Sequence, residues 1–591
     1  MDNPGLYDRP VTPVGELALA IDIAIRIGGE GGEGVISSGD FLMQSAARAG
    51  FEVMTFKSFP AEIKGGYALS QVRFSDEKIL SQGDGFDIVV CFNEEAYQIN
   101  KRLLQPGKVL VYDGPGEFEI EPHAGVACYA IPMSHIAKSE LGAYISKNMV
   151  AMGAVCELFG FPVESLKRSI HDKFIKKSQA VVDQNYAALD AGATYVRDHY
   201  GKDPTYCFPA ARAAKNVIIV DGNQAIALGA TTAGCRYLGA YPITPATSVG
   251  IYASKLFPKG DGYVYQAEDE IAGIASTIGA SFAGTKAMTC TSGPGIDLKS
   301  EMVGLAAMAE IPVVIADIQR GGPSTGMPTQ HEQSDLFICA HAAHGDTPRA
   351  VIAASNVEDC FYRTIDAFNL AEKYQMPVFL LSDAALSLQV EAMARPDLAK
   401  IKIVDRLRYK ADGNGERYQR YKVTASGISP MSHPGDRGGT YCATGLQHQE
   451  NSAPRTSADV CVTMNDKRWR KLDNLEAEIE CATEGAAKAK VGIISWGLTQ
   501  NAVREAMVRM RTEGMEVAAL YPKLLFPVPV KAIEVFAARC TTLLLPEANY
   551  QGQFAQLIRA ATGIDCVRQN IYRGEPFIPK EIIARVKELY A

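Results

Sequence analysis

The sequence predicts an α/β protein made of three consecutive α/β domains. Short apolar runs rich in Val and Ile recur along most of the chain. Each is followed by a stretch with helical spacing, the alternation that builds parallel sheets covered by helices. Two stretches, 201–215 and 396–485, interrupt this rhythm. The composition, 47 % hydrophobic and 21 % charged over 591 residues, is that of a chain with sizeable cores and excludes disorder as its main character. At about 150 residues per domain the length allows about four units, which three domains and one long connection use up.

Residues 1–20 read as an N-terminal tail. The first domain, 21–200, opens with IDIAIRIGGEGGEGV (21–35), a strand running into a glycine-rich turn, followed by a helical stretch from Ser38 to Ala49. FDIVVCF (86–92) and GKVLVYDG (107–114) are further strands of a parallel layer, with a helix around 142–160. A linker, 201–215, leads to the second domain, 216–395, where NVIIVDGNQAIALGATTAG repeats the strand-then-helix pattern. Residues 396–485 are polar, glycine-bearing and non-periodic, long for a connection inside a compact domain, and read as an irregular interdomain segment. The third domain, 486–591, starts at AKVGIISWG; its first helix carries Val503, Ala506, Met507 and Met510 on one face and stops at Gly514.

Composition also narrows the partners. With 59 Lys and Arg against 67 Asp and Glu the net charge is −8, a poor balance for general binding of nucleic acid or anionic membrane. The 13 cysteines are scattered without a CxxC, so zinc-ribbon and ferredoxin-type spacings are missing, and unpaired thiols suit a reducing cytoplasm. No run approaches the roughly 20 apolar residues of a membrane span, and MDNPGLYDRP lacks the basic-then-apolar order of a signal peptide.

Five loops carry chemistry. Gly28, Gly29, Gly31, Gly32 and Gly34, with Glu30 and Glu33 between them, contain a GxGxxG at a strand-to-helix junction, where a backbone can approach a phosphate. The residues alone fit a tight turn as well as a ligand loop, because the two glutamates oppose a pyrophosphate. Nearby, Lys64, Gly65, Gly66 and Arg73 form either an anion-contacting loop or a solvated hairpin. In GAYPITPAT (239–247) two prolines stiffen the backbone around Ile243 and Thr244, which fits a structural turn or a ligand loop. Glu268, Asp269 and Glu270 open a helix that is almost uncharged for 15 residues; a helix apolar all round is buried, and a carboxylate at its start is desolvated. TCTSGPGIDL (289–298) is a second glycine and hydroxyl loop. In IADIQRGGPSTGMPTQHEQSD (315–335), Arg320 at a strand end before glycines is placed to clamp a carboxylate. Cys339, His341 and His344 lack a fourth ligand, so no metal site is read on this chain.

In this order, GAYPITP, EDEIAG…GASFAG, TSGPG and QRGGPSTGMPTQHEQSDL resemble the alpha subunit of 2-oxoacid:ferredoxin oxidoreductases, and GGEGGEGV…FPAEIKGGYALSQVRFSD…FNEEAY resembles their gamma domain, fused in front. The resemblance implies a gamma-type domain, a pyrimidine-type thiamine diphosphate domain and a transketolase C-terminal-like domain. It implies CoA-dependent oxidative decarboxylation of a 2-oxoacid, or its reverse, with electrons passing to ferredoxin. By position Glu270 matches the glutamate that holds the aminopyrimidine, and Tyr241, Pro242, Ile243 and Thr244 match the loop beside the cofactor. Thr244 and Arg320 match residues that take the substrate carboxyl. Gly29, Glu30, Gly31, Gly32, Gly34, Lys64, Gly65 and Gly66 become candidates for CoA contact. In this family the beta subunit supplies the diphosphate and Mg2+ site and the [4Fe–4S] ligands, which this chain lacks; its GDG triplets at 83–85 and 260–262 have no downstream Asn context. The resemblance therefore implies half an active site, completed in an (alpha–beta)2 assembly. The loop after Arg320 resembles that of the 2-oxoglutarate members more than that of the pyruvate ones, and branched-chain members share it. Branched-chain or pyruvate members, and a thiamine-dependent synthase or decarboxylase without electron transfer, are the alternatives.

Overall fold

The computed structural model describes residues 21–60, 65–208, 216–411 and 417–590. Lys64, the tail 1–20 and the linker's 209–215 lie outside them. Three sheets form among the described residues.

The first sheet has eight strands in the spatial order Ala127–Ile131, Val109–Asp113, Ile88–Cys91, Asp22–Glu30, Tyr67–Ser75, Glu52–Ser58, Val390–Ala394 and Val217–Asp221. It corrects two expectations. The layer is mixed, because the chain turns back between Glu52–Ser58 and Tyr67–Ser75 and both antiparallel pairings of Tyr67–Ser75 follow from that hairpin. Position 216 is also not a sheet boundary. Val217–Asp221 pairs antiparallel with Val390–Ala394, which reaches Glu52–Ser58 through Glu391 opposite Met54. A strand that opens a unit in sequence can complete the free edge of its neighbour's sheet.

The second sheet runs Leu524–Phe526, Ala350–Ala353, Pro377–Asp383, Val313–Gln319, Ala287–Thr291, Tyr237–Ala240 and Tyr263–Gln266. Its strands are parallel except Leu524–Phe526, lent by the third domain. Val313–Gln319 and Pro377–Asp383 are buried at every position, as strands covered on both faces must be. The carboxyl ends of these strands are where such sheets carry ligand loops. The third sheet runs Cys481–Gly485, Val517–Pro522, Ala489–Ile494, Cys540–Glu547 and Val567–Asn570, so the boundary expected at 486 falls after its first strand.

The described residues of 396–485 are largely without regular structure up to the helix Ala458–Trp469, yet several of their side chains are buried against the second domain. Arg406 pairs with Glu372 at 2.6 Å, and Lys467 and Lys471 close on Glu310 at 2.7 and 2.6 Å. All three cations are buried, so the segment is a strap held to the second domain by interior charge pairs. Burial pushes Lys471 down to about 7 even with Glu310 beside it. Among the described residues, no helix is long and apolar enough to cross a membrane.

Candidate functional site

The helix Glu270–Phe282 starts at a clean cap: the Asp269 carboxylate accepts the Ala272 N–H at 2.8 Å. The three carboxylates read from the sequence then separate. Glu268 is exposed and takes the Tyr265 hydroxyl at 3.0 Å, Asp269 caps, and Glu270 is buried with 7 % of its surface accessible. The helix is not buried all round as expected. Ile271 is exposed on its outer side, because Tyr263–Gln266 beside it is the last strand of the sheet. Tyr241 and Leu298 are exposed too, so half-apolar surface lies beside the loops near Glu270.

Glu270 leans on the turn that opens the helix Gly293–Met308. A Cβ placed on Gly295 would lie 3.1 Å from Glu270 Cγ and 2.0 Å from Thr291 Oγ1, so only glycine lets strand end, turn and carboxylate meet. Lys299, one turn further, donates to the Glu270 carbonyl at 2.9 Å, and burial pushes its ammonium down to about 8. Sequence reasoning missed Lys299; the only signal was that it is the one cation of the helix Gly293–Met308, between Asp297 and Glu301.

Thr244 and Arg320 come together. Arg320 follows the strand Val313–Gln319 and donates from Nη1 to the Thr244 carbonyl at 2.7 Å. Its Nε is buried with no partner among the described residues, a donor left for an incoming acceptor. Arg320 lines a cleft of about 790 Å³ between the second and third domains, with Gly293, Ser324, Asp335, Asn549 and Tyr550 among its walls. A smaller hollow of about 240 Å³ has Thr244, Ile251, Thr329 and, from the first domain, Phe59 on its lining. Tyr241 and Pro242 are exposed on the approach, and Ile243 accepts the Thr247 N–H at 3.0 Å. His331, whose Nδ1 lies 2.9 Å from an Asp383 oxygen in the interior, makes a second pair the sequence did not single out.

The glycine loops of the first domain meet each other: Gly31 N–H donates to the Gly66 carbonyl at 3.0 Å, and Pro60 sits against Gly31. Gly29 and Gly32 flank this contact, and Gly34, at φ 87°, caps the helix Val35–Arg48. Glu33 is turned inward, taking the Glu30 N–H, Asn93 and Lys147, which removes much of the charge expected to oppose an anion there. Gly65 lies 3.8 Å, measured from an added Cβ, from Glu30 Oε1. Arg73 does not join this loop; Asp22 and Glu505 hold it at 2.5 and 2.8 Å, linking the first and third domains. Gln330 bonds Ser58, so the strand leading to Phe59 and Pro60 ties the glycine loops to the Arg320 loop. Cys339 is bonded to Asp317 and His341 lies edge-on to Phe526, and among the described residues no group of three or more His, Cys, Asp or Glu could hold a metal ion.

Three family models match in chain order: pyruvate ferredoxin/flavodoxin oxidoreductase over 24–195, the thiamine diphosphate-binding domain of pyruvate flavodoxin/ferredoxin oxidoreductase over 228–467, and pyruvate:ferredoxin oxidoreductase core domain II over 489–574. The 2-oxoacid:ferredoxin oxidoreductase 2 subunit alpha of Aeropyrum pernix is 30 % identical, over 96 % of this chain and 98 % of that one. The 2-oxoglutarate oxidoreductase subunit KorA of Mycobacterium tuberculosis is also 30 % identical, over 95 % of this chain and 90 % of its own. A solved 2-oxoglutarate:ferredoxin oxidoreductase from Magnetococcus marinus, with 2-oxoglutarate, coenzyme A and succinyl-CoA bound, is 48 % identical with a TM-score of 0.93, covering 96 % of this chain and all of that one. Near-complete coverage of an alpha subunit, with the gamma-type domain matched in the same chain, means that the protein belongs to the 2-oxoacid:ferredoxin oxidoreductases as an alpha subunit with a fused gamma domain.

Proposed function

We propose that this subunit takes 2-oxoglutarate and CoA to succinyl-CoA and CO2, or the reverse, together with a beta subunit that completes the active site. In the forward direction the C1–C2 bond of the oxoacid breaks, the thioester forms at C2, and an electron pair and a proton leave; the electrons go to ferredoxin. The observation that carries the reading is Arg320, anchored to the Thr244 carbonyl with a buried Nε free for a carboxylate oxygen, at the edge of a cleft large enough for the oxoacid. The Magnetococcus marinus relative, solved with 2-oxoglutarate bound, supports the choice of substrate.

The residues present fit half of a thiamine diphosphate site. Glu270 is a buried carboxylate in a cradle that any Cβ at Gly295 would fill, suited to accept a hydrogen bond from an aminopyrimidine ring nitrogen. The cofactor supplies, when bound, the carbanion chemistry that decarboxylation of a 2-oxoacid needs. Glu270 orients it and holds a proton at the ring nitrogen, while Tyr241, Pro242, Ile243 and Thr244 form the loop beside it. Arg320 neutralises the substrate carboxylate. The exposed apolar residues around Glu270 suit a partner chain that brings the diphosphate and Mg2+ site and the [4Fe–4S] cluster, in an (alpha–beta)2 assembly. The paired loops at Gly31 and Gly66 are the candidate CoA contact on this chain.

The test is a panel of 2-oxoacids with CoA and ferredoxin, using the chain purified alone and with its beta subunit. The expected result is no turnover alone, and the highest kcat/KM for 2-oxoglutarate in the complex. A preference for pyruvate or a branched-chain oxoacid would overturn the substrate assignment.

A further inference from the structure

The cleft that holds Arg320 is poorly suited to an anion on charge alone. Asp297, Glu332 and Asp335 also line it. Behind Asp335, on the strand Val313–Gln319, lies Asp317, with no accessible surface and its carboxyl within hydrogen-bond reach of Asp335. Asp317 Oδ1 and Asp335 Oδ2 are both buried, and neither finds a donor among the described residues. The remaining contacts do not supply one between them. Cys339 Sγ donates weakly to Asp317 Oδ2 at 3.6 Å, and the Gly293 N–H serves Asp335. A Cβ on Gly293 would lie 2.6 and 2.8 Å from the two Asp335 oxygens, so the carboxyl rests directly on the turn that supports Glu270. Two carboxylates in contact without a cation between them cannot both stay ionised, and a single proton gives both orphan oxygens their missing partner.

We propose that Asp335 and Asp317 share one proton, and that this makes Asp335 a positioning residue for the anionic substrate: the shared proton keeps the wall facing Arg320 from gaining another negative charge and fixes the Gly293–Gly295 turn under Glu270. The substrate half of this inference rests on the reading of Arg320 given above; the shared proton does not. The groups that face the pair are Glu332 and Arg320 from the loop, Asp297 and the Gly293 N–H from the helix Gly293–Met308, and Cys339 from the short helix Leu336–His341, with Arg349 beside that thiol. Asn549 and Gln553, from the third domain, are neutral. Burial, then Glu332 and Asp297, push Asp335 up to about 7 against Arg320, and burial with Asp335 pushes Asp317 well up. Raising the pH through neutrality therefore takes the pair from two protons to the single shared one, adds a negative charge beside Arg320 and weakens an anion there.

The experiment has two arms, both on the complex with the beta subunit. In infrared difference spectra, wild type minus Asp335→Asn and wild type minus Asp317→Asn, a protonated-carboxyl band is expected at about pH 6 that changes as the pH passes about 7. Absence of the band in both differences would overturn the proposal, whichever oxoacid the enzyme uses. In steady-state kinetics the KM for 2-oxoglutarate should rise about five-fold between about pH 6 and about pH 8.5, with a smaller change in kcat, and this rise should flatten in Asp335→Asn. A variant that keeps the wild-type KM profile would overturn the positioning role. If 2-oxoglutarate is not a substrate, the infrared arm still decides whether the proton is shared.

Discussion

Gly295→Ala puts the geometry around Glu270 to a direct test. The added Cβ would fall 2.0 Å from Thr291 Oγ1 and 3.1 Å from Glu270 Cγ. Ordinary contact is about 3.5 Å, so roughly 1.5 Å must be found at the threonine and a few tenths of an ångström at the glutamate. Thr291 ends a fully buried strand and has little room to yield, so the turn and Glu270 must shift. Overpacking of this kind costs about 1–3 kcal/mol, a fall in melting temperature of several degrees that leaves the fold intact. A displacement near 1 Å at the group that orients the reacting centre costs about 100-fold in rate. Gly279→Ala is the matched control. It lies in the helix that Glu270 opens, no atom lies within 4 Å of its would-be Cβ, and it should be neutral or stabilise by about 1 kcal/mol. Thermal unfolding and 2-oxoglutarate-dependent ferredoxin reduction, measured on both variants with the beta subunit, separate the two effects. Turnover of Gly295→Ala within twofold of Gly279→Ala would refute the role given to the cradle.

Glu270→Gln keeps the shape and removes the charge, so unfolding should be unchanged while kcat falls about 100- to 10,000-fold; near-normal turnover would exclude Glu270 from the reaction. Glu310→Gln leaves Lys467 and Lys471 buried without their carboxylate at 2.7 and 2.6 Å, and should cost about 3–5 kcal/mol in chemical or thermal unfolding; an unchanged midpoint would mean that the strap is held otherwise. Burial alone would raise Glu310, but Lys467, Lys471 and Arg420 hold it below the usual carboxylate range. Its stabilisation is therefore full above about pH 4.3 and lost as the pH falls, and Glu310→Gln should flatten that acid limb of stability; parallel limbs would contradict the assignment. Burial pushes Glu391 up to about 7, so its folded state holds a proton that the unfolded chain releases, and stability should decline from about pH 4.3 to about pH 7; a melting temperature that rises across this range would count against it.

What the sequence made legible is what depends on neighbours along the chain. Strand, glycine turn and helix follow each other within a few residues, so the loops at Thr244, Glu270, Gly295 and Arg320 could be placed at strand ends, and parallel strands bring such ends to one edge. Pairing across the fold was hidden, because nothing local sets it. The strand Val390–Ala394 reads as the end of the second domain, yet its partner Met54 lies in the first. Glu33 looked like an obstacle to an anion because its sequence neighbours are glycines; its inward turn is set by Lys147, more than 100 residues away. The strap failed to stand out for the same reason. A polar run reads as solvated, but charges bury when each finds an opposite charge, and the partner of Lys467 is Glu310, 157 residues earlier. Asp335 shows the limit most clearly. In QHEQSD it is one acid among several, and only the contact with Gly293 on one side and Asp317 on the other separates it from Glu332. A motif can therefore nominate the residues of a site. Which of its carboxyls carries a proton is decided by the strands and turns that the fold packs against it.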